Sequence, residues 1–286
     1  MPVSAAVSGT FLAAYDAVLA RWPAGTTTSE RVTAHGTTHL ISYGPEDAPP
    51  VLLLPGGGAT ATGWYATAAT LGRTHRVHAV DLIGEPGRSV PEDGNPLRTA
   101  DDLASWLTSL LDALDLRSAR LVGHSYGAWI ALRYALTAPA RVDRLVLLDP
   151  TNCFTGFSPR YLLRALPMLL RPTPARNAAF LRWETGGARL DPEWRHLAAL
   201  AADFPTVRPV TGPRPTAAEL NTLRPPTLVL LAERSRAHDI ARAAARARAA
   251  VPGVETATLS GATHHTLPVG SPPETYDRIA GFLGSA

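Results

Sequence analysis

Lysine is missing from all 286 residues, so each of the 27 basic side chains is an arginine. Against 24 carboxylates this leaves a net charge of only +3. The pI near 9.3 therefore reflects a few surplus guanidiniums rather than a basic stripe. The densest basic group, Arg242, Arg246 and Arg248, is spaced like the solvated face of one helix, with no aromatic side chains interleaved. No nucleic-acid partner is expected from it. Cysteine is nearly as scarce. Cys153 stands alone, which excludes an intramolecular disulfide and a cysteine-based zinc site and leaves it the part of a small apolar filler. Long apolar runs are missing too: none approaches the ~20 residues of a membrane helix. The N-terminus has no charged, apolar and cleavage-site succession of a secretory signal. A cytoplasmic protein without a membrane partner is the expectation.

Cofactor signatures are also absent. The chain has neither G-x-G-x-x-G nor a P-loop lysine, so its glycine runs do not read as phosphate cradles. His264 and His265 are adjacent and lack a third ligand, so no metal site is expected, and no cofactor is implied.

What is present is globular material. The chain is 45% apolar and 18% charged, enough for a large core in either two small domains or one large α/β domain. Phe11, Leu12, Tyr15, Val18, Leu19 and Trp22 recur at helical spacing, which predicts an amphipathic helix from Ser8 to Trp22, capped by Ser8 or Thr10 and stopped at Pro23. That stripe reads as core packing, because a membrane-surface role would want basic flanks. Arg31 to Tyr43 alternates as one or two antiparallel strands with a turn near His35-Gly36. Val51 to Leu54 is a continuous apolar strand, the pattern of a parallel sheet covered on both faces. It runs into Pro55-Gly56-Gly57-Gly58, at the strand end where open α/β sheets bind ligands.

Further strands are predicted over Arg76–Asp81, Ala119–Val122, Val142–Leu148, Thr227–Leu231 and Val254–Leu259. Helices are predicted over Thr99–Leu116, Ile240–Ala250 and Glu274–Leu283. Repeated strand–helix units imply a doubly wound, mostly parallel sheet. Between Thr151 and Leu223 the composition turns to proline, arginine and aromatics, with short helical patterns such as Tyr161–Leu170 and Trp194–Ala202. That stretch reads as a helical insertion.

One stretch carries chemistry. The apolar strand ends in Gly123-His124-Ser125-Tyr126-Gly127, and helical composition follows from Ala128. This is a G-x-S-x-G elbow with a strand before it and a helix after it. A side chain at Gly123 or Gly127 would collide with neighbouring backbone, and the sharp turn lifts the Ser125 hydroxyl clear of the sheet. At the helix N-terminus the Tyr126 N–H can stabilise an oxyanion, with the Gly57 N–H as a second donor. His124, inside the elbow, reads as packing.

Taken together, Pro55-Gly56-Gly57-Gly58, Asp81 to Ser89 with glycines at 84 and 87, the elbow, and Gly261-Ala262-Thr263-His264 resemble the α/β-hydrolase superfamily over essentially the whole chain. The pattern is most similar to single-domain bacterial carboxylesterases with a helical cap. The resemblance implies Ser125 as nucleophile, Gly57 and Tyr126 as oxyanion donors and His264 as base, with His265 a minor rival. It implies a core of residues 1–150 and 224–286 and a cap of residues 151–223.

Two positions depart from the family pattern. Pro55 stands where members usually have histidine, so that loop must be supported differently. Ser235, in Ala232-Glu233-Arg234-Ser235, stands where the acid of the triad usually sits. The expected substitute is Asp239, just before the Ile240 helix, with Asp149 and Glu233 as alternatives. The expected function is a serine hydrolase cleaving a carboxylic ester, a small molecule with an apolar part, by two-step acyl transfer. The altered acid position leaves a non-hydrolytic cyclase, lyase or acyltransferase on the same scaffold as the alternative. Phe154, Trp183 and Trp194 are candidate walls of the substrate pocket.

Overall fold

The computed structural model describes residues 5–204 and 209–284. The chain begins with α1 (Ala5–Leu19), followed by the hairpin β1 (Thr27–Thr33) and β2 (Gly36–Tyr43). Next come β3 (Pro50–Leu54), a 3-10 turn over Ala61–Trp64, α2 (Tyr65–Leu71), β4 (Arg76–Val80) and the short β5 (Val90–Pro91). Then follow α3 (Ala100–Ala113), β6 (Ala119–His124), α4 (Tyr126–Thr137) and β7 (Val142–Leu148). Among the described residues, four α-helices come before the next strand: α5 (Pro159–Leu170), α6 (Pro174–Glu184), α7 (Pro192–Leu200) and α8 (Ala217–Asn221). The chain ends in β8 (Thr227–Ala232), α9 (Ile240–Ala250), β9 (Glu255–Leu259) and α10 (Pro273–Gly284). Residues 205–208 of the expected cap, and the side chain of Ser8, lie outside the described residues. The first helix starts at Ala5, ahead of the expected Ser8 or Thr10 cap.

The sheet runs β1-β2-β4-β3-β6-β7-β8-β9, with β5 added to β2. The β1–β2 and β2–β4 pairs are antiparallel, and every pair from β4 through β9 along this order is parallel. Alternating side chains divide the interior into two layers, as the period of a strand requires. Leu52, Leu54, Leu121, Leu145, Leu147, Val229 and Leu231 face α3, α4 and α9. Val51, Leu53, Val122, Val146, Leu148, Leu228 and Leu230 face α1, α2 and α10. A strand buried on both sides has no polar face, which is why these segments read as unbroken apolar runs.

Local signals close the elements. Thr99 and Asp102 form a reciprocal capping box at the start of α3, satisfying two backbone donors that the helix itself cannot. Among the described residues no helix is long and apolar enough to cross a membrane.

The functional consequence lies in the strand order. From β3 the chain moves outward to β4, then returns to β6 on the other side of β3. The loops leaving β3 and β6 therefore diverge at their carboxyl ends, and such a switch point opens a crevice. Gly57 follows β3 and Ser125 follows β6, so the topology alone brings them together.

Candidate active site

The elbow has the geometry its sequence requires. Ser125 lies at φ 53° and ψ −111°, between β6 and the first residue of α4. Few non-glycine residues occupy positive φ, and the strain is tolerated because both flanks are fixed. The Ser125 N–H donates to Leu148 O at 3.0 Å, and its carbonyl accepts from Trp129 N–H at 3.1 Å. A Cβ at Gly127 would run into the carbonyl oxygens of Leu54 and Pro55, and one at Gly123 into Gly127 O. Both glycines are thus required by close backbone approach.

His264 follows β9 in the loop opened by Gly261. Its Nε2 is 2.8 Å from Ser125 Oγ, and its Nδ1 is 2.6 Å from Asp149 Oδ2. With Nδ1–H donating to the carboxylate, Nε2 of the neutral ring is left to accept the serine proton. Asp149 is the residue after β7 and is fully buried. Its Oδ1 accepts from Ala232 N–H at 3.1 Å and His238 Nε2–H at 3.2 Å. Its Oδ2 also accepts from Ser235 Oγ–H at 2.6 Å.

Burial would raise the Asp149 pKa, but the hydrogen bonds from His238 and His264, with their charge, outweigh it and hold the carboxyl well below the usual range. Burial likewise disfavours the His264 imidazolium. The hydrogen bond and charge of Asp149, with the charge of Glu184, more than offset it and raise the ring above an ordinary histidine. His124 donates Nε2–H to the His264 carbonyl at 2.8 Å. Burial, and the neighbouring His264, push its pKa down to about 3, so it packs as a neutral ring.

Gly57 and Tyr126, the expected oxyanion donors, lie close together across the switch point. A Cβ on Gly57 would lie 3.7 Å from Tyr126 Cβ, and among the described residues neither backbone N–H donates elsewhere. Two carboxylates brace the loop that begins at Pro55. Glu85 Oε2 accepts from Gly58 N–H and Asp81 Oδ1 from Ala61 N–H, each at 2.7 Å. A cleft bordered by Gly57, Thr60, Trp64, Ser125, Trp194 and His265 opens beside them. A hydroxyl, a base oriented by a buried carboxylate, and two free N–H groups around one cleft are the parts needed for acyl transfer.

The model of the alpha/beta hydrolase family matches residues 51–278. The chain belongs to that family. Carboxylesterase YbfK of Bacillus subtilis is 31% identical over 289 residues, covering 96% of this chain and 93% of that protein. The crystal structure of that carboxylesterase superposes with a TM-score of 0.91 at 28% identity, covering 98% of this chain and 99% of that one. Naproxen esterase from the same organism gives a TM-score of 0.90 at 29% identity, covering 98% and 99% of the two chains.

In this alpha/beta hydrolase the structure brings together Ser125, His264, Gly57 and Tyr126, but not Asp239. The expected acid is exposed at the start of α9, where its Oδ1 accepts from Arg242 N–H at 2.9 Å. It is a helix cap, which satisfies a backbone donor the helix leaves open, and it is not within bonding distance of His264. The carboxylate there is Asp149, and Ser235, at the family's acid position, donates to it. Glu233 is exposed and accepts from Gly261 N–H at 2.7 Å, bracing the histidine loop from outside. His265 makes no bond to Ser125; its ring packs on Phe180 and His264.

Of the candidate pocket walls, Trp194 borders the cleft, whereas Phe154 is fully buried in the layer with Cys153. Trp183 packs at a tilt against Tyr161 and Phe180 and carries Arg236 on its ring. Sequence reasoning missed His238 and Glu184 entirely. No motif marks either, and only the folded chain brings them to Asp149 and His264.

Proposed function

We propose that the protein hydrolyses carboxylic esters through an acyl intermediate on Ser125, with His264 as general base and acid and Asp149 as the acid of the triad. Ser125 Oγ attacks the ester carbonyl while its proton passes to His264 Nε2. The tetrahedral oxyanion is held by the N–H groups of Gly57 and Tyr126, and Asp149 offsets the imidazolium charge. Collapse expels the alcohol with the proton from His264. Water then attacks the acyl-enzyme, giving up its proton to the same nitrogen, and the acid leaves as Ser125 is restored.

The observation that carries this reading is the unbroken chain Ser125 Oγ–His264–Asp149, with contacts of 2.8 and 2.6 Å, starting from a strained elbow. The named activity of the Bacillus carboxylesterases supports the ester as substrate. The non-hydrolytic alternative drew its weight from a missing acid, and Asp149 removes that reason. Residues 151–223 act as a cap over the core of 1–150 and 224–286. The substrate is a small ester whose apolar part lies against Trp194.

The test is covalent labelling with a fluorophosphonate followed by intact mass, alongside hydrolysis of p-nitrophenyl esters. One adduct is expected on the wild type and none on Ser125→Ala or His264→Ala, because an unpaired serine hydroxyl is a weak nucleophile. Labelling at another residue, or labelling without ester turnover, overturns the reading.

A further inference from the structure

Glu184 is the last residue of α6, and its side chain is fully buried. It has no ion-pair partner among the described residues. Its two oxygens instead grip the backbone of the histidine loop: Oε1 accepts from His264 N–H at 3.1 Å and Oε2 from His265 N–H at 3.3 Å. A carboxylate taken out of water costs several kcal/mol unless donors replace its hydration, and two consecutive amides supply only part of that. Nothing in the packing of α6 needs an acidic group here, because its buried neighbours Phe180 and Leu181 are apolar.

We propose that Glu184 is a positioning residue through which the helical segment between β7 and β8 sets the base: it fixes the backbone that carries His264 and places a second negative charge beside the imidazolium. The proposal rests on the reading of His264 as the base. Asp149 holds the ring from one side through Nδ1, and Glu184 holds the main chain of the same residue. The His264 carbonyl is tied in turn to His124. All three attachments come from different parts of the fold, and only Glu184 comes from the helices over the cleft.

The other titratable groups around the base leave these two carboxylates as its charged neighbours. His124, at the end of β6, and His265 are both held neutral by burial and by the adjacent His264. Tyr161 on α5 sets its ring edge-on to His264, and burial keeps its phenol protonated. His238 touches Asp149, not the base. Arg164 and Arg236 lie over Trp183, and neither pairs with Glu184 among the described residues. Burial raises the Glu184 carboxyl above its usual pKa, while the His264 charge and the two amides pull it back.

The sign of the effect follows. A negative charge near His264 favours the imidazolium, so removing it lowers the ring's pKa and moves the acid limb of kcat/KM to lower pH. The experiment is a pH profile of p-nitrophenyl butyrate hydrolysis for wild type, Glu184→Gln and Glu184→Asp, each normalised to Ser125 sites titrated with fluorophosphonate. Glu184→Gln keeps the reach and loses the charge. Its limb should fall by about 0.5–1 pH unit, and kcat should drop on the order of 10-fold as the amide meets the His265 donor. Glu184→Asp keeps the charge and loses reach, so kcat should fall while the limb stays near that of wild type.

A Glu184→Gln limb that overlays wild type, whether or not the rate falls, overturns the proposal and leaves a merely structural carboxylate. Wild-type amide exchange gives a check that needs no variant. The His264 and His265 amides should be protected like strand amides, and exchange at open-loop rates would overturn the proposal too. Failure of Ser125 labelling in wild type would instead sink the assignment of the base.

Discussion

The strand-end loops and the helices between β7 and β8 are built to different standards. Val51 to Leu54 are wholly buried between two helical layers, whereas Leu163 and Leu170 on α5 are 73% and 71% exposed. Ser125, Gly57 and Asp149 all leave the first kind of structure, each at the end of a strand with a neighbour on both sides. Catalytic groups must be held to a fraction of an ångström, and sheet ends give that precision. The helical segment borders the cleft through side chains such as Trp194. Glu184 is the exception, a residue of that helical segment whose carboxylate accepts from the His264 and His265 backbone.

The largest test of this contrast sets two carboxylates against each other. Asp149→Asn should lower kcat on the order of 10⁴-fold, the usual loss when the base is left without its anion. Asp239→Asn should hydrolyse esters at the wild-type rate, since asparagine caps helices as well as aspartate does. Comparable losses in steady-state turnover would mean that the strand end does not own the acid. Next in size is packing. Leu53→Ala should cost about 2–5 kcal/mol in urea unfolding, while Leu163→Ala should stay within about 0.5 kcal/mol. Equal costs would show that α5 is buried in solution and that the two regions do not differ. The smallest effect concerns selectivity. Trp194→Ala should re-rank p-nitrophenyl esters of different acyl length by several-fold in kcat/KM while fluorophosphonate labelling of Ser125 continues. An unchanged ranking would make Trp194 part of the helical segment's own core.

Much of this was legible in the chain. The parallel strands announced themselves because burial on both faces leaves no polar position. Ile240–Ala250 was legible to the residue, since Asp239 before it and Val251-Pro252 after it are strong boundary signals. The first helix was placed three residues late: the structure starts it at Ala5, ahead of the Ser8 or Thr10 taken as its cap. Asp239 was chosen as acid for nearness in sequence to Ser235, yet that same position is a helix cap, and capping accounts for it. Asp149 was already among the alternatives. Choosing it required the register of β7 against β8, which puts Leu148 beside Leu230 and so Asp149 next to the loop of Ser235.

The sequence by itself determined the sheet, the elbow and the two glycines that permit it, because those depend on local sterics and on periodicities of a few residues. It also singled out Ser125 and His264, whose neighbours in the chain carry recognisable turns. Only the tertiary structure decided which carboxylate stands against His264, the bracing of the Pro55 loop by Glu85 and Asp81, and the grip of Glu184 on the His264 backbone. Asp149 and His264 are separated by 115 positions, and Glu184 and His264 by 80. No local rule spans such distances. A carboxylate's partner is fixed by which strand ends and helices the packed sheet sets side by side, and that is settled only when the whole core has closed.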